Sequence, residues 1–356
     1  MGTFVMKRPL LRSRRGLLDG GRALNGAVPR PVSLAAVVAC AMACGGSPSG
    51  PAPVPTPTPV SGNTVTAIVF YDENADGRVQ ADEPIRIPDV EVTVGGRTGR
   101  SEKATGRAVI AGVPAGQHPV GLRAETLPPF YAAGAPVSAA SPQDPATPAM
   151  VPLVLPIGRN RPNTYMAFGD SITREDGVAL SLLYPQLLQS LLTAHFAGAE
   201  VNNRGSDGTN TFEGVERIGR GLDDRRPAYT LILYGTNDWN DPVCQDAPPC
   251  RTVDNLRKMV QKVKAAESLP FLGTLPPVNP DLNPAGRNDW IRTVNDGIRA
   301  MAREEGAVVV DVHAAFMRQP ALPPLFDDHV HPSEAGRRLV AEAFFEGIAH
   351  GRSAGN

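Results

Sequence analysis

The stretch Tyr165–Gly177, YMAFGDSITREDG, decides how the chain is read. Tyr165, Met166, Ala167 and Phe168 form an apolar run that stops abruptly at Gly169, Asp170 and Ser171. A short unbroken apolar run, closed by turn residues, predicts a strand buried on both faces. A serine just past such a strand has two roles open to it. It can cap the next helix through its hydroxyl, or it can act as a nucleophile once a base takes its proton. Partners elsewhere in the chain decide between them.

Working outward, further apolar strands follow in AEVNN, YTLILY, PFLGTL and AVVVDV, each separated from the next by helical periodicity. One helix places Val253, Leu256, Met259, Val260 and Val263 on a single face, with Thr252 positioned to cap it. Another places Ile291, Val294, Ile298 and Met301 together and ends near Gly306, and a last one runs from Ser333 through Leu339, Val340 and Phe344. Strand–helix alternation predicts a three-layer α/β/α domain with a parallel sheet over residues 163–351. Sites in such sheets lie at the carboxyl ends of the strands, where Ser171 falls.

Four polar stretches fall at strand ends: GDSIT, NNRGSDGTN, YGTNDWND and FDDHVHP. They hold the residue types that acyl transfer needs. His331 is the candidate base, since imidazole titrates near neutral pH. Asp328, three residues earlier, is placed to hold the other ring nitrogen, with Asp327 as the alternative. His329 is the local rival of His331. Negative charge developing on a carbonyl oxygen needs fixed donors. The main-chain N–H groups of Ser171 and Gly205 and the side-chain amide of Asn237 are the candidates. Asp170 is expected to serve the fold by bonding nearby backbone, and Asp238 either to do the same or to line the cleft.

These blocks, Gly169–Thr173, Asn203–Gly205, Gly235–Asp238 and Asp328–Pro332, resemble in order the motif blocks of the SGNH hydrolases, also called the GDSL esterases and lipases. The resemblance implies a flavodoxin-like α/β fold and an esterase without metal or organic cofactor in catalysis. It implies Ser171 as nucleophile and oxyanion donor, Gly205 and Asn237 as further donors, His331 as base and Asp328 as its orienting acid. No G-x-S-x-G elbow surrounds Ser171, which argues against an ordinary α/β-hydrolase.

Ahead of this domain the pattern is different. TVTAIVFY, DVEVTVGGR, GRAVIAGVPAGQHPVGLRA and VPLVLPIG alternate or carry β-branched residues, with Gly95-Gly96 as a hairpin turn. They predict a small all-β sandwich, immunoglobulin-like or transthyretin-like, over residues 64–157. Within it DENADGRVQADE sets Asp72, Asn74, Asp76, Arg78 and Glu83 at the first, third, fifth, seventh and twelfth places of a loop, with Gly77 at the sixth. This is oxygen-ligand spacing for calcium, Arg78 offering its carbonyl. The preceding strand and Pro84 exclude the two helices of an EF-hand. The stretch resembles the SdrD B-like calcium modules of bacterial surface proteins, with calcium as a structural clip.

Residues 1–44 are basic, then briefly apolar, and end in small residues before cysteine, as a secretory signal does. AMAC resembles a bacterial lipoprotein signal, with Cys44 as the lipid-bearing residue and Cys40 as the alternative. Residues 45–63 form a Pro-rich tether. Export to the cell envelope makes a disulfide between Cys244 and Cys250 the expected state of the other two cysteines. With 35 basic and 36 acidic residues the net charge is −1, which gives no argument for a nucleic acid partner. The expected partners are an acyl-ester substrate and, through the lipid anchor, a membrane. The leading reading is an exported serine esterase for short-chain or carbohydrate acyl esters. The alternatives are a lysophospholipase or thioesterase, and a non-enzymatic envelope binding protein that works through its β module.

Overall fold

A computed structural model describes residues 62–351. Residues 1–61, which include Cys40, Cys44 and all of the expected signal and tether but its last two residues, lie outside the described residues.

The N-terminal module pairs two four-stranded sheets. One has the order β4-β1-β8-β6 and the other β3-β2-β5-β7, with β1 (Asn63–Tyr71), β2 (Glu91–Val94), β3 (Arg97–Arg100), β4 (Arg107–Val113), β5 (Gly116–Leu122), β6 (Ala132–Ala133), β7 (Ser138–Ser141) and β8 (Ala149–Val154). Val65, Ala67 and Val69 of β1 and Val92 and Val94 of β2 are fully buried, as strand alternation predicts. The hairpin between β2 and β3 turns at Gly95-Gly96. β8, expected to close the sheet, is an inner strand, parallel to β1 on one side and antiparallel to β6 on the other. The edge strands β6 and β7 were not expected, being short and built from Ala and Ser.

The C-terminal domain carries a five-stranded parallel sheet of order β10-β9-β11-β12-β13: β9 (Arg161–Gly169), β10 (Glu200–Gly205), β11 (Pro227–Leu233), β12 (Leu269–Gly273) and β13 (Val308–Val310). Numbered within the domain, this is the flavodoxin-like 2-1-3-4-5 order, whose switch point lies between β9 and β11. The helices are α1 (Tyr184–Phe196), α2 (Thr211–Arg225), α3 (Pro242–Asp246), α4 (Thr252–Ala265), α5 (Gly286–Glu305), α6 (Val312–Met317) and α7 (Glu334–His350).

The pleat of β9 shows how the layers form. Met166 and Phe168 join a cluster with Ile218 and Leu222 of α2, Leu256 and Met259 of α4, and Ile291 and Ile298 of α5. Tyr165 and Ala167, on the other face, join Leu188 and Leu192 of α1 and Val340 and Phe344 of α7. That second cluster continues without a break into Val65, Val92 and Ile110 of the β module. Phe130 and Tyr131 carry the join. Phe130 meets Phe271 edge-on at 5.7 Å, and the Tyr131 hydroxyl lies 3.5 Å from that of Tyr229.

α5 stops at Gly306, as expected, and the last helix begins one residue later than expected, at Glu334, with Ser333 capping it. Thr252 does not cap α4. It is the first helical residue, with Arg251 at the cap position, and its hydroxyl donates to the buried Asp238 Oδ2 at 2.7 Å. Cys244 and Cys250 form a disulfide with 5.0 Å between Cα atoms. Among the described residues no helix is long and apolar enough to cross a membrane.

Candidate active site

Ser171 stands two residues past the end of β9, held by a turn that Asp170 organises. Asp170 Oδ1 accepts from Ile172 N–H at 3.0 Å, and its carbonyl accepts from Thr173 and Arg174 N–H, both at 3.1 Å. Its role is in the fold, as expected. Burial pushes the Asp170 carboxyl up to about 6, even though N–H bonds from Ile172 and Gly235 favour its ionised form. Ser171 itself is almost covered, and its main-chain N–H has no acceptor among the described residues.

His331 reaches Ser171 from the loop between the short 3-10 turn at Pro323–Leu325 and α7. Its Nε2 lies 2.9 Å from Ser171 Oγ, and its Nδ1 lies 2.8 Å from Asp328 Oδ2. Asp328 Oδ1 accepts from the main-chain N–H groups of Val330 and His331, both at 2.7 Å. Burial alone would raise the Asp328 carboxyl. The bonds from the His331 ring and the two N–H groups win, and hold it at about 2. The carboxylate is therefore ionised wherever an imidazole can act as base. Asp327 points elsewhere and pairs with Arg337 at 3.2 Å. His329 is half-exposed, its Nδ1 3.8 Å from Asp328 Oδ1.

The candidate donors come from the neighbouring strand ends. Gly235 follows β11 with φ +128°, which turns the chain so that Asn237 lines the cleft beside Ser171. One Asn237 amide hydrogen goes to the Thr209 carbonyl at 3.0 Å, which orients the side chain and leaves the second hydrogen to the cleft. Gly205 ends β10 so close to the Ser171 turn that a Cβ would meet Arg174 N at 2.6 Å and the Asp170 carbonyl at 2.9 Å. Its N–H is not free, however. It donates to Asn203 Oδ1 at 2.9 Å, an Asx turn that the expectation of three open donors did not include.

Of the two polar networks that hold these turns, the Asp238 one follows the first of the two expectations and the Arg337 one was missed in the sequence. Asp238 is a buried hub that accepts from Thr211 N–H at 2.9 Å, Thr211 Oγ1 at 2.6 Å and Thr252 Oγ1 at 2.7 Å. It ties the first turns of α2 and α4 to the Asn237 turn, so it serves the fold. Arg337, 5% exposed, bridges Glu175 and Asp327 at 3.2 Å each and donates to the Pro332 carbonyl at 2.7 Å. It fastens the His331 loop to the segment after Ser171. The signal was there: an arginine on the same stripe of α7 as Val340 and Ala341 must find buried partners.

The cleft over Ser171 has a volume of about 400 Å³ and is lined by Glu175, Asp176, Asp207, Asn237, His329 and Val330 besides the three residues of the relay. Val330 is the large aliphatic side chain on this wall. A second cavity of about 250 Å³, bounded by Phe212, Asn240, Asp241, Cys244 and Arg251, shares Gly208 and Asn237 with it.

The acidic loop of the β module is ordered by its own side chains. Asp72 Oδ2 accepts from Gly77 N–H at 2.8 Å, Asn74 Oδ1 from Asp76 N–H at 3.0 Å, and Asp76 Oδ1 from Arg78 N–H at 2.8 Å. Glu83 accepts from Glu73 N–H at 2.9 Å and Gln80 N–H at 3.1 Å. Asp72 Oδ1 is buried without a partner, which fits a cation in the loop.

Residues 167–339 match the model of the GDSL-like Lipase/Acylhydrolase family, just under half of the chain. No curated protein matches the chain in sequence. Among solved structures, a lipolytic protein of the G-D-S-L family from Veillonella parvula DSM 2008 is 22% identical, with TM-score 0.43, covering 51% of this chain and 96% of its own. The lipase/acylhydrolase from Enterococcus faecalis is 21% identical, with TM-score 0.45 and coverage of 52% and 95%. A catalytic mutant of an acetylxylan esterase from Geobacillus stearothermophilus is 23% identical, with TM-score 0.45 and coverage of 53% and 95%. The C-terminal part of the chain is thus a GDSL-like lipase/acylhydrolase domain, an enzyme domain that hydrolyses ester bonds. The reading of the chain as a purely non-enzymatic binding protein falls with that match.

Proposed function

We propose that the chain is a serine esterase acting on short acyl esters, with acylated carbohydrate as the substrate class. The observation that carries the mechanism is the unbroken relay Asp328–His331–Ser171, with contacts of 2.8 Å and 2.9 Å. Ser171 Oγ attacks the ester carbonyl as His331 Nε2 takes its proton, and Asp328 stabilises the imidazolium that forms. The oxyanion is held by Ser171 N–H and the free amide hydrogen of Asn237. His331 then gives the proton to the departing alkoxide, leaving an acyl group on Ser171. Water attacks that ester with His331 again as base, releasing the acid. The catalytic steps need no metal.

The substrate class is supported by the shape and chemistry of the cleft. It is open, and its wall carries the carboxylates of Glu175, Asp176 and Asp207 and the Asn237 amide, with Val330 as its aliphatic contribution. The adjoining cavity beside Phe212 and Arg251 gives room for the alcohol part. The acidic loop is proposed to take calcium through Asp72, Asn74, Asp76, Glu83 and the Arg78 carbonyl, as a structural ion. Export and lipid attachment at Cys44, or at Cys40, remain part of the same reading.

Ser171→Ala should abolish turnover of 4-nitrophenyl acetate and labelling by a fluorophosphonate probe, with thermal unfolding unchanged. A variant that keeps near-wild-type turnover removes the mechanism. A panel of acyl lengths and acetylated oligosaccharides tests the substrate class, and a preference for long-chain lysophospholipids or acyl thioesters would overturn it.

A further inference from the structure

We infer that Asp89, His195 and His350 form a binding site for a divalent transition-metal ion of zinc type, joining the β module to the esterase domain. Asp89 belongs to the loop before β2, while His195 and His350 lie in the last turns of α1 and α7. Asp89 Oδ2 is 3.9 Å from His195 Nε2 and 3.5 Å from His350 Nε2, and the three donor atoms all lie within 4.8 Å of one another. Zinc–nitrogen and zinc–oxygen bonds of about 2.0–2.1 Å in tetrahedral array put neighbouring donors ~3.3 Å apart. The Asp89–His350 separation of 3.5 Å is close to that value, and the Asp89–His195 separation of 3.9 Å needs a side-chain movement of about half an ångström to meet it.

His195 is the second and independent observation. Its side chain is 2% exposed, and neither ring nitrogen has a hydrogen-bond partner among the described residues. Phe196 and Phe345 stand edge-on to the ring at 4.6 Å and 5.2 Å. A buried polar side chain without a partner is expensive, so a simple ion pair of Asp89 with His350 leaves His195 unexplained. A metal accounts for it, because it uses the lone pair of a neutral imidazole.

The surroundings agree. His350 Nδ1 lies 3.1 Å from Glu346 Oε2, the carboxylate–histidine arrangement that orients a ligating Nε2. Both histidines sit at helix C-termini, where the helix dipole favours positive charge. Lys103 opposes a cation, but it is exposed and screened. Two imidazoles and one carboxylate suit zinc and its first-row neighbours better than calcium. The site is remote from the chemistry. It lies at the far end of α7, about 25 Å along that helix from the turn after His331.

The test uses the full chain, freed of metal by chelator and titrated with zinc chloride. Calorimetry should show one tight site, and a hundredfold excess over Kd should raise the unfolding temperature by about 5 °C. Asp89→Asn and His350→Ala should each weaken zinc binding by at least about a hundredfold and cancel that rise. Cobalt should give the visible bands of a tetrahedral site in the parent protein and lose them in both variants. Asp72→Asn should leave the zinc response intact. Both substituted side chains reach solvent, and the unfolding temperature in chelator gives each variant its own baseline. Absence of tight zinc binding in the parent, or binding that both substitutions leave unchanged, overturns the assignment.

Discussion

Asp328→Asn isolates what the carboxylate does for the proposed base. The amide is isosteric, and its Oδ1 can keep the 2.7 Å bonds from Val330 and His331 N–H, so the loop should stay in place. Two things change at the ring. The amide NH₂ now faces His331 Nδ1, which must accept, so the proton moves to Nε2 and is aimed at Ser171 Oγ. The imidazolium also loses its counter-charge. Unit charges about 4 Å apart at an effective dielectric of 20 interact by roughly 4 kcal/mol. Asp328 is 46% exposed, so screening leaves about half of that, near thirtyfold in rate. The wrong tautomer adds to this, and the serine-protease precedent of about 10⁴ sets the upper bound. The expected result is a loss of kcat on 4-nitrophenyl acetate of about 10² to 10⁴, with KM within about threefold. Stability should hardly move at neutral pH. The Asp328 carboxyl is depressed to about 2, so its contribution is present above the ordinary carboxylate range and is lost as pH falls through about 2. For so exposed a group that contribution is below about 1 kcal/mol. A variant that loses less than tenfold in kcat would refute the assignment of Asp328 as the orienting acid.

Two more outcomes are expected. Asp170 has its carboxyl raised to about 6 by burial, so the stability tied to its neutral form is complete below about pH 4 and is lost as pH rises through about 6. Asp170→Asn removes that loss, and its stability relative to the parent should improve by about 2–3 kcal/mol between pH 4 and pH 8; an equal difference at both pH values would contradict the shift. Asp72→Asn keeps an acceptor for Gly77 N–H but lacks the charge, so millimolar calcium should raise the unfolding temperature of the parent and not of the variant; identical calcium responses would sink the loop as a calcium site.

Much of this protein is written in local pattern. Strand and helix follow from periods of two and of 3.6, so β9 to β13 and the faces of α4, α5 and α7 could be read directly. The parallel sheet then brings the carboxyl ends of β9, β10 and β11 together. That is why GDS, the NNRG stretch and GTND could be placed beside one another without coordinates. Asp328 and His331 share a short loop, and three residues of chain hold them within a hydrogen bond's reach.

What the sequence leaves open are the contacts between segments far apart in it, since pairwise geometry depends on how whole elements pack. β6 and β7 carry no apolar signal and exist only because β8 and β5 offer them open edges. Thr252 falls one position inside its helix and gives its hydroxyl hydrogen to Asp238, 14 residues away in sequence. Arg337 closes on Glu175, 162 residues away, a contact that exists only once α7 docks; the Asn203–Gly205 turn, by contrast, is local and was missed because spacing does not say which way a side-chain oxygen turns. Asp89, His195 and His350 come from the β module and from two helices, and meet only where the shared hydrophobic cluster presses the two parts together. Local propensity and periodicity settle the elements and their order, because those energies act within a few residues. Which polar groups end up facing one another is decided when burial removes water and makes each of them find a partner within reach.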